Sequence, residues 1–170
     1  MNIHPLFVHF PIGLLVLYAV LELLPLARWY PQAPWIAIKT ILSLAGAIGA
    51  VIASATGDIA KEIWGDTGAH DLIEVHEKFA VMTTFIFSAL AYSYFIRWVS
   101  VNHKIFEGKL RSFAFLGSIA DIIAKRWIVV ILALGGLIAI TITGGLGAAI
   151  VYGPYADPMV TIIYSLFIQE

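Results

Sequence analysis

The sequence predicts an all-α membrane protein, with four transmembrane helices bundled in a single domain that takes in residues 1–170. The chain has a mean hydropathy of +0.92, and 61% of its residues are hydrophobic while only 12% are charged. Soluble domains carry about 25% charged residues, so this chain has too few polar groups to cover a globule of its size. The composition therefore favours the membrane class.

Four apolar stretches are long enough to cross the bilayer, which takes roughly 20 mostly apolar residues. They cover residues 6–27, 35–55, 79–99 and 127–152. Ahead of the last stretch, residues 105–124 place small and apolar side chains at helical spacing among basic and polar ones. This pattern predicts either an amphipathic helix lying in the cytoplasmic interface or a plain structured connector.

Basic residues set the expected orientation. Lys61 and Lys78 fall on one side of the predicted bundle, and the other eight Lys and Arg fall on the other. Those eight are Arg28, Lys39, Arg97, Lys104, Lys109, Arg111, Lys125 and Arg126. The positive-inside rule places the basic side in the cytoplasm. We therefore expect a multi-pass protein of the cytoplasmic membrane with both termini outside. Because the N-terminus lacks a basic n-region and a small-residue cleavage site, its first apolar run is expected to be retained.

Charge and cysteine content exclude several function classes. The formal net charge of −1 argues against nucleic-acid binding, which needs a concentrated basic face. The chain has no cysteine. It can therefore form no disulfide, ligate no iron–sulfur cluster through thiolates and attach no c-type haem.

Four of the five histidines converge on the predicted outer end of the bundle: His4, His9, His70 and His76. His9 and His76 are each expected about one turn into a helix, at equal depth. Two imidazoles so placed could hold one haem b iron axially in the core of a bundle. The alternative for each histidine is a solvated interfacial residue. We assign that plain role to His103 on the cytoplasmic side and to His70 in its polar loop. His4 and His70 are nevertheless reserve haem-ligand candidates, and either could support a second site.

His4 and His9 are five positions apart and so point about 140° from each other on a regular helix. They are therefore expected to have different roles. For His4, helix capping and ligation are equally expected. Gly13 follows His9 by one turn on the same face and would leave space for a macrocycle. Glycines in membrane helices more often serve close helix packing, which is the expected role of Gly46 and Gly49.

Two carboxylates stand out. Glu22 falls deep in the first span, where an isolated carboxylate must find a partner or a proton. Thr40 or Ser43 could supply a hydrogen bond, and Glu22 could serve either a proton relay or the structure. Asp58 follows the second span and could orient a ligating histidine, ligate a metal itself or remain solvated.

The N-terminal stretch HPLFVHFP resembles the opening H-P-x-x-V-H-F-P of an uncharacterised family of four-helix prokaryotic membrane proteins. Weaker points of resemblance are Glu22, Gly57-Asp58 without the family's spacer, His76, and GGLGAAIVYG near the end of the fourth span. The resemblance covers about residues 4–153, and the tail after it departs from the family pattern. Some relatives are associated with Rieske-type redox domains, so the resemblance implies redox work at the membrane.

These observations lead to one functional hypothesis and two alternatives. The leading one is a b-type haem electron-transfer subunit that links the quinone pool to an extracytoplasmic redox protein. The haem would carry the redox event, and the chain would not be catalytic alone. One alternative is a zinc, copper or non-haem iron site built from His4, His9, Asp58 and His76. The other is a structural anchor without cofactor, whose C-terminal tail of residues 155–170 docks a partner.

Overall fold

The computed structural model describes residues 4–64, 70–102 and 114–168, and every regular element in these ranges is an α-helix. In chain order the helices are α1 (His4–Leu23), α2 (Leu26–Trp29), α3 (Trp35–Trp64), α4 (His70–Asn102), α5 (Ala114–Ile123), α6 (Arg126–Tyr152) and α7 (Pro158–Phe167). The predicted all-α class is confirmed.

Three helices in the described part of the chain are long and apolar enough to cross a membrane: α3, α4 and α6. The apolar stretch of α1, Phe7–Leu23, is shorter. Helices of this length and apolarity indicate a membrane protein in contact with the lipid bilayer.

The helix boundaries depart from the predicted spans at three places. α1 ends at Leu23 rather than at residue 27, because Pro25 disfavours helical geometry at the residue before it and has no N–H to donate. α3 continues to Trp64 and α4 begins already at His70. These extensions carry charged residues. Such residues can continue a helix into water, but they lie outside the apolar stretches from which the spans were predicted. α3, with 30 residues, is about 45 Å long and exceeds the ~30 Å hydrocarbon core.

The four long helices form a bundle in which α1 and α4 are diagonally opposite. α1 packs against α3 and α6, and α4 packs against the same two helices. The side chains of Leu15, Phe87 and Leu90 are fully buried in the centre. Burying side chains of this size contributes about 1.5–3 kcal/mol each in water, and in a bilayer their close packing replaces that term.

Glycines let the helices approach closely at several positions, among them Gly46, Gly49 and Gly136. A Cβ on Gly46 would overlap Leu15, and one on Gly49 would lie 3.1 Å from the Pro11 ring. The packing role predicted for these two glycines is confirmed. In α6, a Cβ on Gly136 would lie 2.8 Å from the ring of Phe87. The helix backbones can therefore approach closely only while these positions lack a side chain.

α5 is attached to α4 by two side-chain hydrogen bonds to its backbone. Tyr92 donates its hydroxyl to the Leu116 carbonyl at 2.8 Å, and Ser93 donates to the Ala120 carbonyl at 2.9 Å. Ala120 is fully buried, as expected for the apolar stripe of the predicted amphipathic segment. The first part of that segment, residues 105–113, lies outside the described residues.

Candidate functional site

The bundle has two polar regions separated by its apolar centre. We call the first the Glu22 end; it consists of Glu22, Lys39, Tyr94 and Arg126. We call the second the His76 end; it consists of His76, Thr83 and Thr143. Leu15, Phe87 and Leu90 lie between the two ends.

Glu22 is a buried carboxylate with partners from all three neighbouring long helices. Its side chain is 2% exposed. Oε2 lies 2.9 Å from the Lys39 ammonium of α3 and accepts the Tyr94 hydroxyl of α4 at 2.6 Å. Oε1 lies 2.6 Å from Nη1 of Arg126, the first residue of α6. Each long helix thus contributes one member to the Glu22 end, which compensates the buried charge as such sites require.

Arg126 also binds the backbone of α1. Its Nη1 donates to the Glu22 carbonyl at 3.0 Å, one residue before the helix ends at Leu23. The last carbonyls of a helix have no partner within it, and a cation there also interacts favourably with the helix dipole. Arg126 therefore satisfies the end of α1 as well as its buried side chain.

Thr40 and Ser43, the partners considered for Glu22 from the sequence, bond to backbone carbonyls. The Thr40 hydroxyl donates to Ile36 at 2.7 Å and lies 3.2 Å from the Tyr94 carbonyl, and Ser43 donates to Thr40 at 3.3 Å. These bonds satisfy buried hydroxyls of α3 locally, which is common in membrane helices. The charges of Lys39 and Arg126 take the place of the neutral partners that the sequence had indicated.

Tyr18 lies one turn before Glu22 on α1, and its side chain is fully buried. Its ring meets those of Phe87 and Tyr94 edge-on, with centroids 6.2 and 5.8 Å apart. Such edge contacts contribute about 0.5–1.5 kcal/mol beyond area burial. Tyr18 therefore joins the apolar centre to the Glu22 end.

At the His76 end, the imidazole of His76 is oriented by the backbone of α6. Nδ1 lies 3.0 Å from the Thr143 carbonyl. A carbonyl can only accept, so Nδ1 carries the proton in this contact and Nε2 is the acceptor nitrogen of the neutral ring. The Thr83 and Thr143 hydroxyls lie 3.3 Å apart. A Cβ on Gly147 would lie 3.2 Å from Cε1 of His76, so this glycine makes room for the ring.

Around His76 the charged residues are exposed and pair near the surface. Lys61 of α3 and Glu77 of α4 form an ion pair at 2.5 Å, with side chains 42% and 43% exposed. The hydrogen bond to Glu77 raises the pKa of the Lys61 ammonium, and Asp58 adds a weaker electrostatic contribution in the same direction. Asp58 itself is exposed on α3, and its charge acts on Lys61.

Helix register places His9 and His76 at different depths. Pro11, two residues after His9, packs on Gly49 of α3. Because Thr40 of α3 lies beside the Tyr94 backbone and α3 and α4 are antiparallel, Gly49 is level with about residue 85 of α4. His9 is then level with about residue 83. His76 lies roughly two turns, or about 10 Å, beyond it. His9 is also exposed.

Position 4 lies closer to the depth of His76. It precedes His9 by five residues. In the same helix register, its depth is therefore within about one turn of that of His76. It also falls in the same row of helix positions as 11, 15, 18 and 22, four of the five residues that the described part of α1 buries. The His4 side chain itself lies outside the described part of the structure.

The remaining predicted site residues are peripheral. His70 is the first residue of α4, its side chain 72% exposed and 3.9 Å from Asp71. Gly13 is exposed, and a Cβ there would meet no atom within 4 Å, so it makes no space between helices. His103 lies outside the described residues. Among the described side chains, no three His, Asp or Glu residues form a group that could hold a metal ion.

No family model matches this sequence, and no curated protein or solved structure is significantly similar to it.

Sequence reasoning singled out Glu22 but missed its partners Lys39, Tyr94 and Arg126. A usable signal was present, because Lys39 and Arg126 stand at the starts of predicted spans on the same side of the membrane as Glu22. Buried acids in membrane helices pair with bases at equal depth. Matching Glu22 to the basic residues at its own depth would have identified both cations.

Proposed function

We propose that the chain is a membrane-embedded electron-transfer subunit that holds a b-type haem at the His76 end. The observation that supports this most is the placement of His76. It lies on the row of α4 positions that continues inward through Thr83, Phe87 and Leu90, and the Thr143 carbonyl holds its Nδ1–H. Such a backbone contact fixes the tautomer with an unprotonated Nε2, the form in which histidine binds iron.

The second axial ligand in this proposal is a histidine of α1, and His4 fits better than His9. The pairing of His9 with His76 is weakened by the exposure of His9 and by the difference in depth. Position 4 shares the buried row of α1 and lies near the depth of His76. α1 and α4 are diagonal in the bundle, an arrangement in which ligands from facing helices project toward one another.

The cofactor would supply one-electron chemistry, and the chain would tune it. Thr143 orients the imidazole, and Gly147 leaves the space that the ring occupies. Phe87 and Leu90 close the bundle below and exclude water from the middle of the membrane. Exclusion of water lowers the local dielectric, one of the ways in which proteins set a haem potential.

The topology proposed with this function has four crossings. α1 contains 20 residues, or about 30 Å of helix, enough for the hydrocarbon core. Glu22 of α1 pairs with Lys39 near the start of α3 and with Arg126 at the start of α6. The concentration of basic residues at the Glu22 end supports a cytoplasmic location for that end. The His76 end would then face an extracytoplasmic redox protein, with membrane quinone as the electron donor.

An absorbance spectrum of the purified protein, expressed with haem supply, tests the proposal. We expect a Soret band that His76→Ala and His4→Ala abolish. His9→Ala and His70→Ala should retain it and serve as matched histidine controls. Circular dichroism of each variant checks that the helices persist. A wild-type protein without a Soret band refutes the haem, and elemental analysis of that sample for zinc, copper and iron tests the non-haem alternative.

A further inference from the structure

The C-terminal helix α7 turns back along the bundle. The chain leaves α6 at Tyr152 and turns at Gly153, whose φ of 90° favours glycine. Asp157 then caps α7 by accepting the Val160 N–H at 2.9 Å, and Pro158 occupies the first turn. Both residues are strong helix-start signals. The reversal is therefore encoded locally, by residues between the two helices.

α7 packs against the outer parts of α4 and α6 at the His76 end. Val160 and Ile163 are buried in a cluster with Leu146 and Ala149. Ile163 contacts Gly145, where an added Cβ would overlap it. One helix turn further along α7, the rings of Phe167 and Phe79 meet at 4.9 Å between centroids. From its start to its end, α7 therefore runs back along α6 towards the middle of the bundle.

The depth of α7 follows from the length of α6. About 20 residues of helix fill the ~30 Å hydrocarbon core. Counted from Arg126, that core ends near Gly145, the residue that Ile163 contacts. The first half of α7 is thus at the headgroup level, and its second half is at the edge of the acyl chains.

One face of α7 is apolar and exposed. Met159, Ile162 and Leu166, spaced three and four apart, are 55%, 60% and 67% exposed. No charged residue occurs between Pro158 and Ile168. Tyr152 and Tyr155 are also largely exposed just before the helix, as is typical of the aromatic belt at a membrane interface. A soluble partner is normally met by a patch with a polar rim. Thr161 and Ser165 flank this face, but their hydroxyls donate to the nearby carbonyls of Asp157 and Ile162.

We propose that the Met159–Ile162–Leu166 face of α7 is inserted into the lipid leaflet at the His76 end. This face contacts the acyl-chain region of that leaflet, and α7 enters the membrane without crossing it. The proposal rests on the depth, the missing charge and the flanking tyrosines. Interfacial helices bury an apolar face about 5–10 Å into the headgroup and acyl boundary. Leu166 should then be deepest and Met159 shallowest.

Site-directed spin labelling tests this directly, because the chain has no native cysteine. Met159→Cys, Ile162→Cys and Leu166→Cys would carry a nitroxide in the full chain, reconstituted into phosphatidylcholine and phosphatidylglycerol vesicles. The control is Ala156→Cys, an exposed position in the turn before α7. We expect the collision rate with oxygen, relative to a water-soluble nickel chelate, to rise in the order 156, 159, 162, 166.

Two outcomes would overturn the proposal. Equal accessibility of all four labels to the nickel chelate would place α7 in water. The second outcome is that labels on 159, 162 and 166 are shielded from oxygen and from the nickel chelate in native membranes but are accessible to the nickel chelate in vesicles. A protein partner would then be identified as the occupant of this face. Neither outcome depends on haem, so this test and the absorbance spectrum can fail separately. Variants that lose the wild-type circular dichroism spectrum are replaced by Thr161→Cys and Ser165→Cys, which flank the same face.

Discussion

The two ends of the bundle use charged residues in opposite ways. At the Glu22 end, one carboxylate, two cations and a tyrosine from four helices meet around a side chain that is 2% exposed. At the His76 end, Lys61 and Glu77 pair at 2.5 Å while both remain more than 40% exposed. The distances between charged atoms are similar at the two ends, but the Glu22 carboxylate is buried and the Lys61–Glu77 pair is exposed. This difference in burial decides how much each contact contributes to stability.

A buried charge cannot return to water when its partner is removed, whereas an exposed one can. Removing one member of a buried ion pair therefore costs about 3–5 kcal/mol, while most exposed pairs contribute little. The comparison teaches that the Glu22 end fixes how the helices assemble. The His76 end is free to serve another purpose.

The largest expected effect comes from Glu22→Gln. The substitution keeps the shape of the side chain but leaves Lys39 and Arg126 without their counter-charge. We expect a loss of about 3 kcal/mol in the free energy of unfolding. The value stands at the lower end of the range because the Arg126 side chain is 61% exposed and can turn toward water. Reversible unfolding in mixed detergent micelles, followed by circular dichroism, measures it.

Glu77→Gln is the matched control, since it makes the same chemical change in the exposed pair and should alter stability little. The double variant Glu22→Gln with Lys39→Met should recover part of the loss by removing one uncompensated buried charge. Equal effects of Glu22→Gln and Glu77→Gln would refute the contrast between the two ends.

An intermediate effect is expected where α6 crosses the packed centre between the ends. In Gly136→Ala the new methyl group would lie 2.8 Å from the ring of Phe87, which is fully buried. We expect a loss of about 1–3 kcal/mol from overpacking. The neighbour Gly135→Ala, whose methyl group meets no atom within 4 Å, should be neutral or slightly stabilising through helix propensity. A difference of less than a few degrees between the two unfolding midpoints would contradict the close contact.

The smallest effect is expected from Thr83→Val at the His76 end. It removes the hydroxyl that lies 3.3 Å from that of Thr143 and leaves the Thr143 carbonyl with His76. Hydrogen bonds between membrane helices contribute about 0.6 kcal/mol on average, so a loss of that order is expected. Thr141→Val is the control, because the Thr141 hydroxyl bonds within its own helix to Leu137 and is exposed. A loss as large as that of Glu22→Gln would mean that both ends fix the assembly.

Much of the fold could be predicted from the sequence because apolar runs report the part of a helix that contacts lipid or the core. That signal stops where polar residues begin, although the helix does not. It therefore missed the end of α3 at Trp64. The depth expected for His76, about one turn into its helix, already implied a start of that helix near Asp71 or Leu72, close to the observed start of α4 at His70. The end of α1 is instead determined locally by Pro25. Hydropathy averaged over a stretch of residues does not detect the effect of a single residue.

The site was harder to predict because it depends on register and depth across helices. Placing His9 level with His76 counted each histidine from the start of its own helix, but α4 begins about two turns further out than α1. Periodicity alone predicts that His4 and His9 face different ways on α1. Choosing between them needed the contact of Pro11 with Gly49, which no single-helix pattern contains.

The contact between Glu22 and Arg126 has a consequence for how the protein is made. The two residues are 104 positions apart, so at ordinary rates of synthesis the ribosome adds Arg126 roughly 5–20 s after Glu22. Lys39 follows Glu22 much sooner. In the proposed topology of four crossings, the newly made α1 thus enters the membrane with an acid that Lys39 alone can neutralise until α6 arrives. Arg126 completes the set last and fastens the end of the first helix once the fourth long one is in place.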